Sequence, residues 1–212
     1  GGAFALVSFQ GEKEKKVLDC REQAPAAATT NMYNNVVVGA VSSSSEVGGL
    51  AIPVFGELHC LAELHDAYGS LPWTDLVTPI ADMATNGFTV GSYLAEQTES
   101  LAKVCRQNAN DPKCQNNNLR KYLTHDGSWE RPYQQGEVLQ NPHLGQTLHA
   151  IATNGVQALY TGPIAEQIVH DIQQAGGIVD LQDLQSYRPV WRKPLSVNVF
   201  GFTIYGMPPP SS

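Results

Sequence analysis

An α+β fold is the class this sequence predicts, on three observations. Strand-like apolar runs stand at both ends of the chain, over 3–9 and 16–20 and again over 195–205. Between them lie about six stretches with apolar residues at helical spacing. Hydrophobic residues make up 42% of the 212 positions and charged residues 16%, which suits a packed core and not a disordered chain. Strands from distant parts of the chain are therefore expected to share a sheet, with helices layered on it.

The elements follow in order. Residues 3–9, Ala3-Phe4-Ala5-Leu6-Val7-Ser8-Phe9, read as a strand buried on both faces. A charged turn over 11–15 leads into a return strand over 16–20. Val36-Val37-Val38 suggests another short strand, and Ser42 to Ser45 with Gly48-Gly49 a flexible polar loop. A helix is expected over 56–69, with Leu58, Leu61 and Leu64 on one face and Gly69 at its end. The next should start near Ser70 with Pro72 in its first turn and end at Asn86-Gly87. Pro79 lies inside its pattern and should kink or divide it, because proline lacks the amide donor. A third helix runs from Ser92 to about Cys105. Residues 107–135 lack periodicity and read as a long excursion with a short helix near 119–123. Asn141-Pro142 opens a helix that Gly155 can close. Gly162-Pro163 opens another, stopped at Gly176-Gly177. Asp180 caps a short helix to Tyr187, and a hairpin turning at Gly201 ends the β-like tail. No internal repeat is visible.

Several functional classes lose support. The net charge is −7, and the one basic cluster, Lys13-Glu14-Lys15-Lys16, reads as a hairpin tip, so nucleic acid is not an expected partner. No apolar run approaches the ~20 residues of a membrane span. The chain opens at Gly1-Gly2 and stops at Pro210-Ser211-Ser212, and it reads as an internal piece of a longer protein, a single domain over 1–212. No N-x-S/T sequon occurs. The six histidines include no metal-binding spacing, so no metal and no cofactor are expected. His59 and His65 fall on different helix faces and read as surface or hydrogen-bonded histidines. His59 and Cys60 are adjacent, so their side chains diverge on a helix and make no nucleophile–base pair. Neither a G-x-S-x-G elbow nor a P-loop is present. Cys105 and Cys114, eight residues apart, could close a small disulfide, while Cys20 and Cys60 read as buried in apolar context; four reduced thiols fit equally well. No catalytic set is complete within these residues.

One motif stands out: Asp19-Cys20-Arg21-Glu22-Gln23-Ala24-Pro25, just beyond the first hairpin. An arginine delivered by a strand end can clamp a carboxylate, since its planar fork of N–H donors matches the two oxygens and stays charged. Against this stands an ordinary surface arginine, neutralised by Asp19 or Glu22.

The motif also belongs to an ordered series. Gly1 to Val7 and Asp19 to Pro25 are followed by Gly48-Gly49-Leu50-Ala51-Ile52-Pro53 and Gly69-Ser70-Leu71-Pro72-Trp73. Asn86-Gly87-Phe88-Thr89-Val90, Tyr160-Thr161-Gly162, Ala175-Gly176-Gly177-Ile178-Val179 and Met207-Pro208-Pro209-Pro210-Ser211-Ser212 complete it. Together they resemble the γ-glutamyltransferase family, the γ-glutamyl transpeptidases or glutathione hydrolases, over almost the whole length. The resemblance implies an N-terminal-nucleophile hydrolase fold of four αββα layers, here incomplete as the large-subunit portion. It implies a precursor that cleaves itself into large and small subunits. The nucleophile is then a threonine at the start of the small subunit, absent from this chain, with its own amine as base. A γ-glutamyl ester forms and is resolved by water or by an amino-acid or peptide acceptor. Glutathione and other γ-glutamyl compounds are the implied substrates, and the small subunit is the implied partner. Arg21 is the implied ligand of the substrate α-carboxylate, the one site residue carried over. Ser211 and Ser212 look structural by the same comparison. An extracellular, secreted or membrane-anchored setting is implied, with a vacuolar minority. Val54-Phe55-Gly56-Glu57, Cys20 before Arg21, and the spacing of Cys105 and Cys114 depart from the usual pattern. A related N-terminal-nucleophile amidase or acylase, or a non-catalytic homologue, are the alternatives, and Arg21 and the downstream threonine discriminate them.

Overall fold

The computed structural model describes residues 1–9, 11, 14–34, 45–111, 114–115 and 117–211. The strand expected at Val36-Val37-Val38, most of the serine loop and Ser212 lie outside the described residues.

The elements are β1 (Ala3–Val7), β2 (Lys16–Cys20), a 3-10 turn (Gly49–Ala51), α1 (Glu57–Tyr68), α2 (Trp73–Asn86), β3 (Phe88–Thr89) and α3 (Ser92–Gln107). They continue with α4 (Asn117–Leu123), β4 (Val138–Leu139), α5 (Pro142–Asn154), α6 (Gln157–Tyr160), α7 (Gly162–Gln174), α8 (Leu181–Ser186), β5 (Val190–Arg192), β6 (Leu195–Val199) and β7 (Phe202–Gly206). This is the α+β class expected. The described residues form helices, one antiparallel sheet in the order β1-β2-β5, and two ribbons, β3-β4 and β6-β7.

β5 joins the sheet from 170 residues away in sequence, pairing Val17 with Arg192 and Asp19 with Val190. β2 is thus the central strand, and Val17, Leu18 and Cys20 are fully buried. The expectation that the first strand would be buried on both faces is corrected. Among the described residues β1 is an edge strand, and only intermediate burial is reached at four of its five positions. An edge strand lacks a neighbour on one side, so its flank stays open.

Helix termini follow local chemistry. Asn141 caps α5, its side chain accepting from the Leu144 N–H at 3.0 Å, with Pro142 at the first position. Asp180 and Asp183 form a reciprocal capping box on α8. Pro72 precedes the first residue of α2 instead of lying in its first turn. Pro79 does not divide α2, which runs continuously from Trp73 to Asn86. Packing along α5 holds it, including bonds from Trp73 Nε1 to the Ile151 carbonyl at 3.0 Å and from Thr74 Oγ1 to the Ala152 carbonyl at 3.1 Å. Tertiary contacts here override a local breaker.

The largest core cluster joins Val54, Tyr160, Ala165, Val169, Ile172, Val179, Leu184 and Tyr187. Burying each large apolar side chain there contributes roughly 1.5–3 kcal/mol. A second cluster sets Cys105, Cys114 and Trp129 against Ala102, and it anchors the excursion over 107–135. Both cysteine pairs are disulfides, Cys20–Cys60 and Cys105–Cys114. The Cys105–Cys114 alternative is thereby resolved, and Cys20 and Cys60, read as merely buried, are also bonded.

Candidate functional site

Arg21 stands one residue beyond the central strand, and its backbone is held from several directions. Its N–H donates to Asp19 Oδ1 at 3.0 Å, and its carbonyl accepts from the Tyr187 hydroxyl at 3.0 Å. The preceding residue, Cys20, is bonded through sulfur to Cys60 of α1. Two residues on, Gln23 and Val54 exchange both backbone hydrogen bonds, at 3.0 and 2.9 Å. Farther along, the Ala26 N–H donates to Asp183 Oδ1 at 2.8 Å. The segment is therefore fixed by β2, α1, the Val54 strand-like bridge and α8 together.

The side chain of Arg21 is different. It is 55% exposed, and among the described residues its one ionic contact is Nε to Glu22 Oε2 at 3.5 Å. An ion pair this exposed and this long contributes little. Asp19, the other candidate to neutralise it, is spoken for. Its buried carboxylate accepts from Arg192 Nε at 2.8 Å, and that pair joins β2 to β5.

Tyr187 is the residue that sequence reasoning missed. It is 1% exposed and packs with Tyr160 and His59, at ring-centroid separations of 6.4 and 5.8 Å. Burial, with the nearby Asp19 and Glu22 carboxylates adding to it, pushes its hydroxyl up to about 12. The hydroxyl therefore stays a donor throughout the physiological range. Gly56 makes room for it, because a Cβ there would overlap the Tyr187 hydroxyl and approach the Cys20 carbonyl to 2.6 Å. No local signal marks Tyr187, whose partner is 166 residues away.

The histidines divide. His65 Nε2 lies 2.8 Å from the Leu71 carbonyl, as expected of a hydrogen-bonded residue. His59 corrects the expectation: it is buried against Tyr160, and its Nε2 has no hydrogen-bond partner. Burial, aided by Arg188, holds its pKa below the usual imidazole value, although Glu63 pulls the other way. Among the described residues no group of three or more histidine, cysteine or acidic side chains could hold a metal ion.

Among the concavities lined by described residues, two lie away from Arg21. An apolar one of about 320 Å³ lies between α1, α5 and α6, walled by Leu58, Leu61, Leu148 and Ile151. A polar one of about 400 Å³ lies by the excursion, where His125 Nε2 meets Glu137 Oε2 at 2.8 Å. The Gln134 N–H, at 2.6 Å, and then His125 hold the Glu137 carboxyl below its ordinary range. Ser211 Oγ donates to the Met207 carbonyl at 3.3 Å, a contact within the local turn. No helix of the described residues is long and apolar enough to cross a membrane.

Comparison with known proteins bears on this geometry. A family model described as Gamma-glutamyltranspeptidase matches residues 1–212. Glutathione hydrolase 3 of Arabidopsis thaliana is 36% identical over 211 residues, and the glutathione hydrolase proenzyme of Escherichia coli is 32% identical over 212. Both alignments cover all of this chain but only 31% and 35% of those relatives, so the chain spans about a third of their length. The solved γ-glutamyltranspeptidase of Helicobacter pylori superposes with a TM-score of 0.84 at 32% identity, over all of this chain and 57% of that one. With the ordered motifs, the fold and the whole-length match in agreement, the chain belongs to the γ-glutamyltranspeptidase family.

Proposed function

We propose that the protein containing this chain catalyses γ-glutamyl transfer and glutathione hydrolysis, with Arg21 binding the α-carboxylate of the γ-glutamyl group. The observation that carries this reading is the contrast at Arg21 between a pinned backbone and an open guanidinium. With Nε turned to Glu22 at 3.5 Å, both terminal nitrogens can take the two oxygens of a carboxylate side by side. A γ-glutamyl group differs from an ordinary acyl chain in carrying a free α-carboxylate and amine. A cation held in place before binding selects for that feature and loses little freedom on binding.

In this reading residues 1–212 are one domain of the large subunit. They supply the clamp and no nucleophile. The nucleophile is a threonine at the start of the small subunit, freed by self-cleavage of the precursor, and its own amine takes the hydroxyl proton. Attack on the γ-carbonyl releases the thiol-bearing peptide and leaves a γ-glutamyl ester. Water or an amino-acid or peptide acceptor then breaks the ester. The name proenzyme carried by the Escherichia coli relative supports a processed precursor. The two disulfides support an extracytoplasmic, secreted or surface setting, where such bonds persist.

The test is on the full-length protein. Its chains are separated under denaturing conditions, and the smaller one is sequenced from its amino end. A threonine there supports the reading, and a single uncut chain overturns it in favour of a non-catalytic homologue. Arg21→Ala should then raise KM for a γ-glutamyl substrate by roughly tenfold to a hundredfold, the scale of a lost charged hydrogen-bond pair. Arg21→Lys should recover only part of that loss, because an ammonium lacks the fork. An unchanged KM in Arg21→Ala would remove the clamp and favour an amidase or acylase with another acyl group.

A further inference from the structure

We infer that Tyr187 is a positioning residue for the carboxylate clamp, holding Arg21 by its carbonyl while the Cys20–Cys60 disulfide holds the residue before it; this rests on the assignment of Arg21 above. Four observations carry it.

First, the contact is to the backbone of Arg21 itself. The Tyr187 hydroxyl donates to that carbonyl at 3.0 Å, and the donor comes from the far end of the chain. Second, the tyrosine cannot easily move. It is almost wholly buried beside Leu184 and Val54 in the main core cluster and packs with Tyr160 and His59. Third, space has been cleared for the hydroxyl at Gly56, next to the start of α1, where any side chain would collide with it. Fourth, Cys20 and Cys60 are 0% and 1% exposed, so the disulfide ties the strand end to α1 from inside the core. An arginine anchored on either side in this way presents its guanidinium from a fixed origin. A guanidinium on a loose origin would have to be ordered at each binding event, which weakens affinity without altering the chemical step.

The protonation state agrees. Buried near two carboxylates, the hydroxyl does not ionise in any ordinary buffer, so the anchor is insensitive to pH across the working range.

The experiment uses the full-length processed enzyme in four forms: unchanged, Arg21→Ala, Tyr187→Phe, and the double variant. KM and kcat are read on a γ-glutamyl substrate, with inhibition by free L-glutamate as a probe of carboxylate binding. Tyr187→Phe removes one hydroxyl and keeps the ring. It should raise KM and the glutamate inhibition constant by about fivefold, the scale of one lost neutral hydrogen bond, with kcat nearly unchanged. In the Arg21→Ala background the same change should add nothing, since there is no guanidinium left to position.

The outcomes separate cleanly. If Arg21→Ala leaves KM and glutamate inhibition unchanged, the clamp itself is wrong and the inference falls with it. If Arg21→Ala weakens binding but Tyr187→Phe does not, the clamp stands and the positioning role is overturned. An independent, additive effect of Tyr187→Phe in the double variant also overturns it, as that marks a merely structural role. If Tyr187→Phe does not yield folded protein, the pair Cys20→Ala/Cys60→Ala is read in its place. A rise in KM that vanishes in the Arg21→Ala background supports the anchoring, and an unchanged KM refutes it.

Discussion

At His59 a titratable ring sits in the core with one nitrogen unpaired, and the consequence is a dependence of stability on pH. Its folded pKa lies below the unfolded value of about 6.5. Above that value the ring is neutral in both states and stability is full. As pH falls through about 6.5 the unfolded chain takes up a proton that the folded one refuses, so stability declines, and it levels off below the folded pKa. His59→Gln, which cannot titrate, should show a shallower fall in thermal midpoint between pH 7.5 and pH 5 than the unchanged protein. Equal slopes would mean that His59 does not carry this term. The same residue shows where sequence reading stops. A histidine on a helix reads as exposed or paired, and nothing within α1 announces that Tyr160 will close over it. The position of Arg21 was legible for the opposite reason, since the β1-β2 hairpin just before it is local in sequence. Tyr187 and the Cys20–Cys60 pairing were not, because a bond between residues 166 or 40 positions apart leaves no local trace.

Short elements carry two kinds of information, and α8 carries both. Asp180 was readable as a cap from sequence, and the structure adds that Asp183 returns the bond to the Asp180 N–H at 3.0 Å. Asp183 does more than cap. Its Oδ1 also accepts from the Ala26 N–H, tying α8 to the segment that carries Arg21. Asp180→Ala should therefore cost about 1 kcal/mol, the usual value of an N-cap. Asp183→Ala should cost about 1–2 kcal/mol more, because a second, partly buried donor loses its acceptor. Urea unfolding of the two variants at neutral pH checks the order, and equal losses would show that the Ala26 contact adds nothing. Legibility at this scale tracked length. The long amphipathic helices and the β1-β2 and β6-β7 hairpins were visible in their periodicity. β3, β4 and β5, of two or three residues each, are too short to show any period and exist only through their partners. α2 was visible but its course through Pro79 was not, since the packing that carries the helix past the proline comes from α5.

Over the whole molecule, the two disulfides staple different things, and chain statistics predict different consequences. Cys105–Cys114 closes a loop of sequence separation 9 within the excursion, whereas Cys20–Cys60 spans 40 positions and joins the central strand to α1. In the loop-entropy picture a bridge stabilises by restricting the unfolded chain, and the restriction grows slowly with loop length. The shorter bridge should then contribute about 2.5 kcal/mol and the longer about 4 kcal/mol. Cys20→Ala/Cys60→Ala should accordingly lower stability more than Cys105→Ala/Cys114→Ala, by about 1–1.5 kcal/mol. The difference should also be qualitative. Loss of the longer bridge loosens the contact between sheet and helix beneath Arg21. Loss of the shorter one loosens only the small cluster around Trp129 and Ala102. Denaturant unfolding of both pair variants, with hydrogen exchange read at β2 and at α3, measures both halves. Faster exchange at β2 in the Cys20–Cys60 variant alone, with the larger loss of stability, is the expected result. A larger loss from the Cys105–Cys114 pair would mean that the excursion, and not the sheet, is what the disulfides protect.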